Sequence, residues 1–199
     1  MNQFTFLAQP WWVNLLLLVP AVVFLVFRRK KPELTRRQLL AAAIFGMAFG
    51  FVEASVVIYL RAASGLLPGY MGSLSDVIQQ APGNYQQLQT LAGFPRSLLT
   101  TEILRESATL IMLVTLALLS ATKLKGRCAM FLWIFAFWDI SYYLGMWLTI
   151  RWPESLTATD VLFLIPVPWI SQVWFPCLVS GLTIIMVAMN TQDPDSPEG

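Results

Sequence analysis

Five runs of apolar residues, each near the length needed to cross a bilayer, leave this chain few ways to fold. A helix crosses with roughly 20 apolar residues, within a range of about 17 to 25. The runs are Trp11 to Phe27, Gln38 to Ala62, Leu98 to Thr122, Arg127 to Ile150 and Ile170 to Met189. Only 12% of the 199 residues are charged, against about 25% in ordinary soluble domains. The sequence therefore predicts an all-α, polytopic integral membrane bundle of about five transmembrane helices, residues 1–189 forming one transmembrane domain. Residues 190–199 read as a disordered acidic tail.

Orientation follows from the basic residues. Of thirteen Lys and Arg, six lie between Arg28 and Arg37 and three are Lys123, Lys125 and Arg127. Cytoplasmic loops carry such an excess, so these two loops read as cytoplasmic, the N-terminus as outside and the tail as inside. Trp11, Trp12, Trp147, Trp152, Trp169 and Trp174 would then gather near the outer interface, where amphipathic rings are favoured. No basic residue precedes the first apolar run, the reverse of a cleaved secretory peptide. The expected location is a plasma (inner) membrane, bacterial by the chain's small size.

Two outer segments remain. Residues 63–97 form a polar loop expected to carry short surface helices. Residues 151–169 form a second, in which Val161 to Trp169 is too short to span and contains Pro166 and Pro168. An interfacial or re-entrant segment before the last helix is the reading. No internal repeat supports an inverted-repeat transporter.

Function is argued from ionisable residues inside the apolar runs, because charge at bilayer depth is costly and marks functional sites. Glu102, Arg105, Glu106 and Thr109 follow i, i+3, i+4, i+7 and share one helical face, opposite apolar Leu104, Ile111 and Leu118. Asp139, Tyr142, Tyr143 and Met146 repeat the spacing. Glu53 and Arg61 lie beside the small-residue stripe Gly46, Gly50, Ala54, which lets another helix approach closely. Asp160 and Arg151 hang over the same side. The expected ligand-binding set is Glu53, Arg61, Glu102, Arg105, Glu106, Asp139, Tyr142, Tyr143 and Asp160, in one polar cavity open to the outside.

Four of these carboxylates, Glu53, Glu102, Glu106 and Asp139, face only Arg61 and Arg105, which leaves two negative charges uncompensated if all ionise. Protons or a cation must neutralise them. Glu53, Glu102, Glu106 and Asp139 are thus candidate ligands for a divalent cation, an all-oxygen set suiting Mg²⁺, Ca²⁺ or Mn²⁺. No cofactor is firmly implied, and with no histidine in the chain there is no His-ligated haem or zinc and no Ser-His-Asp site. Structural roles compete with each reading: a salt bridge from Glu53 to Arg105, an intrahelical ion-pair set of Glu102, Arg105 and Glu106, and a hydrogen bond from Asp139 to a tyrosine or backbone group.

Three functions fit. The leading one is binding or transport of a cation, a proton or a small polar solute, with Val161 to Trp169 as gate. The second is an outer-leaflet enzyme acting on a lipid-linked or polar substrate, Glu53 or Asp139 as general base and Arg61 or Arg105 stabilising a developing anion. The third is a non-catalytic subunit or assembly factor of a membrane complex. Five helices are few for a monomeric carrier, so transport would call for a homodimer or larger complex. The bilayer is the expected partner; no nucleic-acid footprint is present. Gly-Lys-[Ser/Thr] phosphate loops and intramembrane aspartyl protease contexts are absent.

Overall fold

A computed structural model describes residues 7–63 and 96–193, with the side chains of 61–63 and 96–98 outside the description. The expected polar loop, nearly all of which falls between these two stretches, lies outside the described residues, as does the tail beyond Asp193. Within them, a tight 3₁₀ stretch Trp11–Leu18 runs into α1 (Val19–Arg29), followed by α2 (Arg36–Ala63), α3 (Arg96–Ser120), α4 (Leu124–Ile150), the strands β1 (Thr159–Phe163) and β2 (Trp169–Gln172), and α5 (Trp174–Asn190). Four helical segments, Trp11–Arg29, Arg36–Leu60, Leu99–Ser120 and Leu124–Ile150, are long and apolar enough to cross a membrane. The fifth apolar helix, α5, has 17 residues and spans about 25 Å. It is shorter than the apolar run because Trp169 to Gln172 is taken into a strand.

Helix α4 is the hub. It packs on α2, α3 and α5, while α1 leans on α5. The closest approach is with α2, through the small-residue stripe: a Cβ built on Gly50 would stand 2.4 Å from the Trp138 carbonyl oxygen, and one on Gly46 would stand 2.8 Å from that of Ile134. From the other side, Gly145 of α4 faces Ala54. The stripe is a helix-packing seam inside this chain. Trp133 adds a crosslink, its indole N–H donating to the Leu39 carbonyl at 2.8 Å. Outward faces stay apolar: Leu104, Ile111 and Leu118 of α3 are exposed, as are Leu40, Ile44 and Phe51 of α2. Such exposure is what a lipid-facing surface requires.

Helix boundaries have local causes. Thr35 and Gln38 form a reciprocal cap on α2, the Thr35 N–H donating to Gln38 Oε1 at 2.9 Å and the Gln38 N–H to Thr35 Oγ1 at 3.2 Å. Arg151 closes α4 in the left-handed conformation at φ 55°, its N–H returning to the Trp147 carbonyl, and Pro153 follows.

The three segments at one end of the bundle are tied together. Leu34 donates to Gln192 and Gln192 to Pro32 through the backbone, and the Lys123 ammonium bridges both carboxylate oxygens of Glu33 at 2.7 and 2.8 Å. All nine basic residues of the two loops thereby gather at that end. Both partners of the Lys123–Glu33 pair are half-exposed, so it contributes little. Its hydrogen bond and charge nevertheless hold the Glu33 carboxyl below the ordinary glutamate value. A depressed pKa adds stability above the unfolded-state value and loses it as pH falls through the folded-state value. A carbon-13 titration should therefore find the Glu33 midpoint rising toward the ordinary value in Lys123→Met; an unchanged midpoint would mean the pair does not form in solution.

At the other end the structure departs from the helical expectation. The segment read as interfacial or re-entrant is an antiparallel hairpin pairing Thr159 with Gln172, Asp160 with Ser171, Val161 with Ile170 and Phe163 with Trp169. β-Branched and aromatic residues favour the strands, and Pro166 and Pro168 bar a helix across the turn. Gln9 completes a third rung, exchanging backbone hydrogen bonds with Ile170 at 2.7 and 2.8 Å. The hairpin runs down into the bundle: Phe163 stacks on Phe135 at 6.2 Å between ring centroids. Phe135 lies about 22 Å below the Ile150 end of α4. Trp152, expected near the outer interface, is fully buried beneath Tyr143 in the core around Ile150 and Ala158.

Candidate functional site

The structure sorts the sequence-predicted residues into two polar groups and one cavity. The first group joins α2 to α3. Arg105 forms an ion pair with Glu53 across the helices and a second with Glu102 one turn away, where its Nε and Nη2 donate to Glu102 Oε2 at 2.9 and 2.8 Å. The Thr109 hydroxyl donates to Glu53 Oε2 at 3.4 Å. Glu53 and Glu102 are both buried. One guanidinium fork serves two carboxylates, an arrangement that Arg makes better than Lys.

Glu106 faces elsewhere. Its carboxylate takes the Leu164 N–H at 2.9 and 3.0 Å and also a hydrogen bond from the Ile165 N–H. These are donors of the hairpin turn, which a helix or ladder would otherwise satisfy. Pro166 and Pro168 have no N–H, so between proline chemistry and Glu106 only Val167 keeps an uncommitted donor type in the segment 164–168. Pro166, Val167 and Pro168 are exposed on the surface of the bundle.

The second group joins α4, the hairpin and α5. Tyr143 donates its hydroxyl to Asp160 Oδ2 at 2.9 Å, both residues being buried. The Ser180 hydroxyl donates to Asp139 Oδ2 at 2.7 Å. Asp139 and Asp160 lie within electrostatic reach of each other and of Cys177. Tyr142 packs edge-on against Tyr143 with centroids 5.0 Å apart and lies within electrostatic reach of Arg105, so the two groups are neighbours across α4. Arg61 falls on the last turn of α2, where its side chain lies outside the described residues.

A cavity of about 260 Å³ lies between α1, α3, α4, α5 and the hairpin. Its walls are almost wholly apolar. Of the described residues expected to bind ligand, only Asp139 reaches it, joined by Ser180 and Thr183 of α5 and by Trp169 of β2. The Trp169 indole N–H is buried and has no hydrogen-bond acceptor among the described residues. Among the described residues no three His, Cys, Asp or Glu side chains converge as a metal site.

Sequence reasoning missed the α5 contribution. Cys177, Ser180 and Thr183 recur every three residues, a polar stripe on an apolar helix, and this was the available signal. It missed the backbone partners of Glu106 as well, for which no side-chain pattern exists. No family model matches this chain, and no curated protein or solved structure matches it either.

Proposed function

We propose that this protein is a membrane-resident binding protein whose ligand is a largely apolar, chain-like molecule held in the cavity between the hairpin and α1, α4 and α5. The observation that carries this reading is the contrast between the two environments. Glu53, Glu102, Glu106 and Arg105 are engaged by one another and by the hairpin backbone, whereas the open space is lined by groups such as Phe135, Leu162 and Val179. A polar solute or cation gains little from such walls. An aliphatic chain replaces contacts otherwise made with lipid, and the volume, just under the roughly 300 Å³ lower range of ligand pockets, suits a thin occupant.

The hairpin is read as lying at bilayer depth. Non-helical backbone survives there only where its polar groups are satisfied, and a turn capped by Glu106, in which two prolines leave Val167 as the one further N–H between 164 and 168, goes most of the way to meeting that demand. The basic end is read as cytoplasmic, which puts the N-terminus outside.

The test is photolabelling of the full chain in nanodiscs with a diazirine-bearing dodecane. Labels are expected on cavity peptides containing Phe135 or Val179, and Val179→Trp should lower that labelling about tenfold while thermal stability stays close to that of the parent protein. Labelling confined to lipid-facing residues and indifferent to Val179→Trp would overturn the reading. Leu162→Phe, a smaller filling, serves as the second variant should the tryptophan unfold the bundle.

A further inference from the structure

Three residues of α4 that line the cavity, Phe131, Leu132 and Phe135, are only half-buried. One and two turns nearer the basic end, Cys128 and Leu124 are exposed. Positions 124, 128, 131, 132 and 135 keep the i, i+4, i+7, i+8, i+11 spacing of a single helical face, so the open strip is continuous. The other faces of α4 are taken. Ile134 and Trp138 meet α2 at Gly46 and Gly50, and Ala129 and Met130 are buried in the core shared with Val187 of α5. Helix α1 leans on α5 and gives the cavity only Leu16 and Val19, while α3 gives only Leu110. The cavity thus runs out along α4 toward the basic end.

At the foot of the strip stand cations. The Lys125 ammonium donates to the Val26 carbonyl at 3.4 Å, which sets the start of α4 against the last turns of α1, where Arg28 and Arg29 are exposed. The carboxylates described at this end are already engaged, Glu33 with Lys123 and Asp193 with Arg36. Arg28, Arg29 and Lys125 have no carboxylate partner among the described residues. We propose that the cavity takes one acyl chain of an anionic phospholipid from the leaflet at the basic end, its phosphate held by Arg28, Arg29 and Lys125, an inference that rests on the cavity reading and names the lipid class.

Length and charge both fit. Phe135 stands about 15 Å above Lys125 along α4, which is the depth that the chains of one leaflet fill in a hydrocarbon core of roughly 30 Å. A chain anchored at the cations ends near Phe135, short of the Asp139 carboxyl group. Basic residues at the membrane surface attract anionic lipids, and a guanidinium binds phosphate through two parallel hydrogen bonds. A choline head would bring its own ammonium among the three cations, and an uncharged head would leave them without a counter-ion.

The experiment places the full chain in phosphatidylcholine nanodiscs doped with phosphatidylglycerol or phosphatidylcholine, each bearing the same diazirine near the end of one chain. The phosphatidylglycerol probe is expected to label peptides containing Phe131 or Phe135 about tenfold more than the phosphatidylcholine probe. Lipid-facing Leu104 and Leu118 should take both equally. Raising ionic strength from about 0.05 to 0.5 M should erase most of the preference, as should Arg28→Gln, Arg29→Gln and Lys125→Gln combined. The salt arm uses the unaltered protein and decides alone if the triple variant unfolds. Equal labelling by the two lipids, or a preference that survives either treatment, overturns the anionic assignment and leaves the apolar site standing. So does failure of both phospholipids where the diazirine-bearing dodecane still labels the cavity. Failure of all three probes overturns both readings.

Discussion

Replacing Gly50 with leucine is expected to abolish the folded bundle. The first atom of any side chain at this position would lie 2.4 Å from the Trp138 carbonyl oxygen, 2.9 Å from Ser141 Cβ and 3.0 Å from the Tyr142 nitrogen. Two of these are main-chain atoms of α4, so no rotamer change relieves the clash and the helices must part. Overpacking a tight core typically costs about 1–3 kcal/mol, which Gly50→Ala should show. Leucine adds three further carbons in the same direction. Against a total stability of about 5–15 kcal/mol for folded domains, separation of the α2–α4 seam is the expected result. Gly181 of α5 is the internal control, since a Cβ there meets nothing within 4 Å. Gly181→Ala should be neutral or raise stability by up to about 1 kcal/mol through helix propensity. Thermal unfolding of purified protein in detergent reads all three variants. A melting temperature for Gly50→Leu equal to that of the parent would mean that α2 and α4 are not in this register.

Arg105→Met is the second large effect. Removing the guanidinium leaves Glu53 and Glu102 buried without the counter-charge that Arg105 supplies, and breaking a buried pair from one side typically costs about 3–5 kcal/mol. Methionine keeps most of the volume, which isolates the charge effect from a cavity effect. The companion variant carries Glu53→Gln and Glu102→Gln with Arg105→Met. It should recover most of the lost stability, because neutral partners of similar shape remove the unpaired charges. Non-additivity of this kind is what a shared network predicts, and additive losses would show that the three residues act separately. If the charges instead served a moving ion, the triple variant would stay folded and Arg105→Met alone would cost little stability.

How far the sequence disclosed this arrangement differs from element to element. The spans were legible because a run of apolar residues at bilayer length has few alternatives, and the boundaries of α1 to α4 fall within a few residues of those runs. The Glu53–Arg105 pair was legible as the structural competitor to a binding role, since both residues sit on inward faces. The hairpin was not, because Val161 to Trp169 is as apolar as the helices around it and its alternation is broken by an irregular register between Val161 and Phe163. Glu106 was read among the carboxylates of a polar site, yet its partners are backbone N–H groups, which every residue but proline has and which therefore leave no mark in sequence. The cavity was hidden for a related reason. Its walls come from five segments, and apolar residues lining empty space look the same as those lining a neighbour.

The capping of the turn by Glu106 has a consequence for biogenesis. Chains enter the membrane in the order of their synthesis, and Leu164 follows Glu106 by 58 residues. When α3 first partitions, the acceptor for which the turn is built has nothing to accept from except water, lipid headgroups or Arg105 on its own helix. The hairpin, for its part, has no satisfactory home until α3 and α4 stand side by side. Final closure is thus deferred until the last third of the protein has emerged, and a chain halted after α4 would hold an incomplete interior. Quality-control proteases that survey bilayer-embedded polar groups would meet Glu106 uncapped in such a fragment and buried in the finished protein.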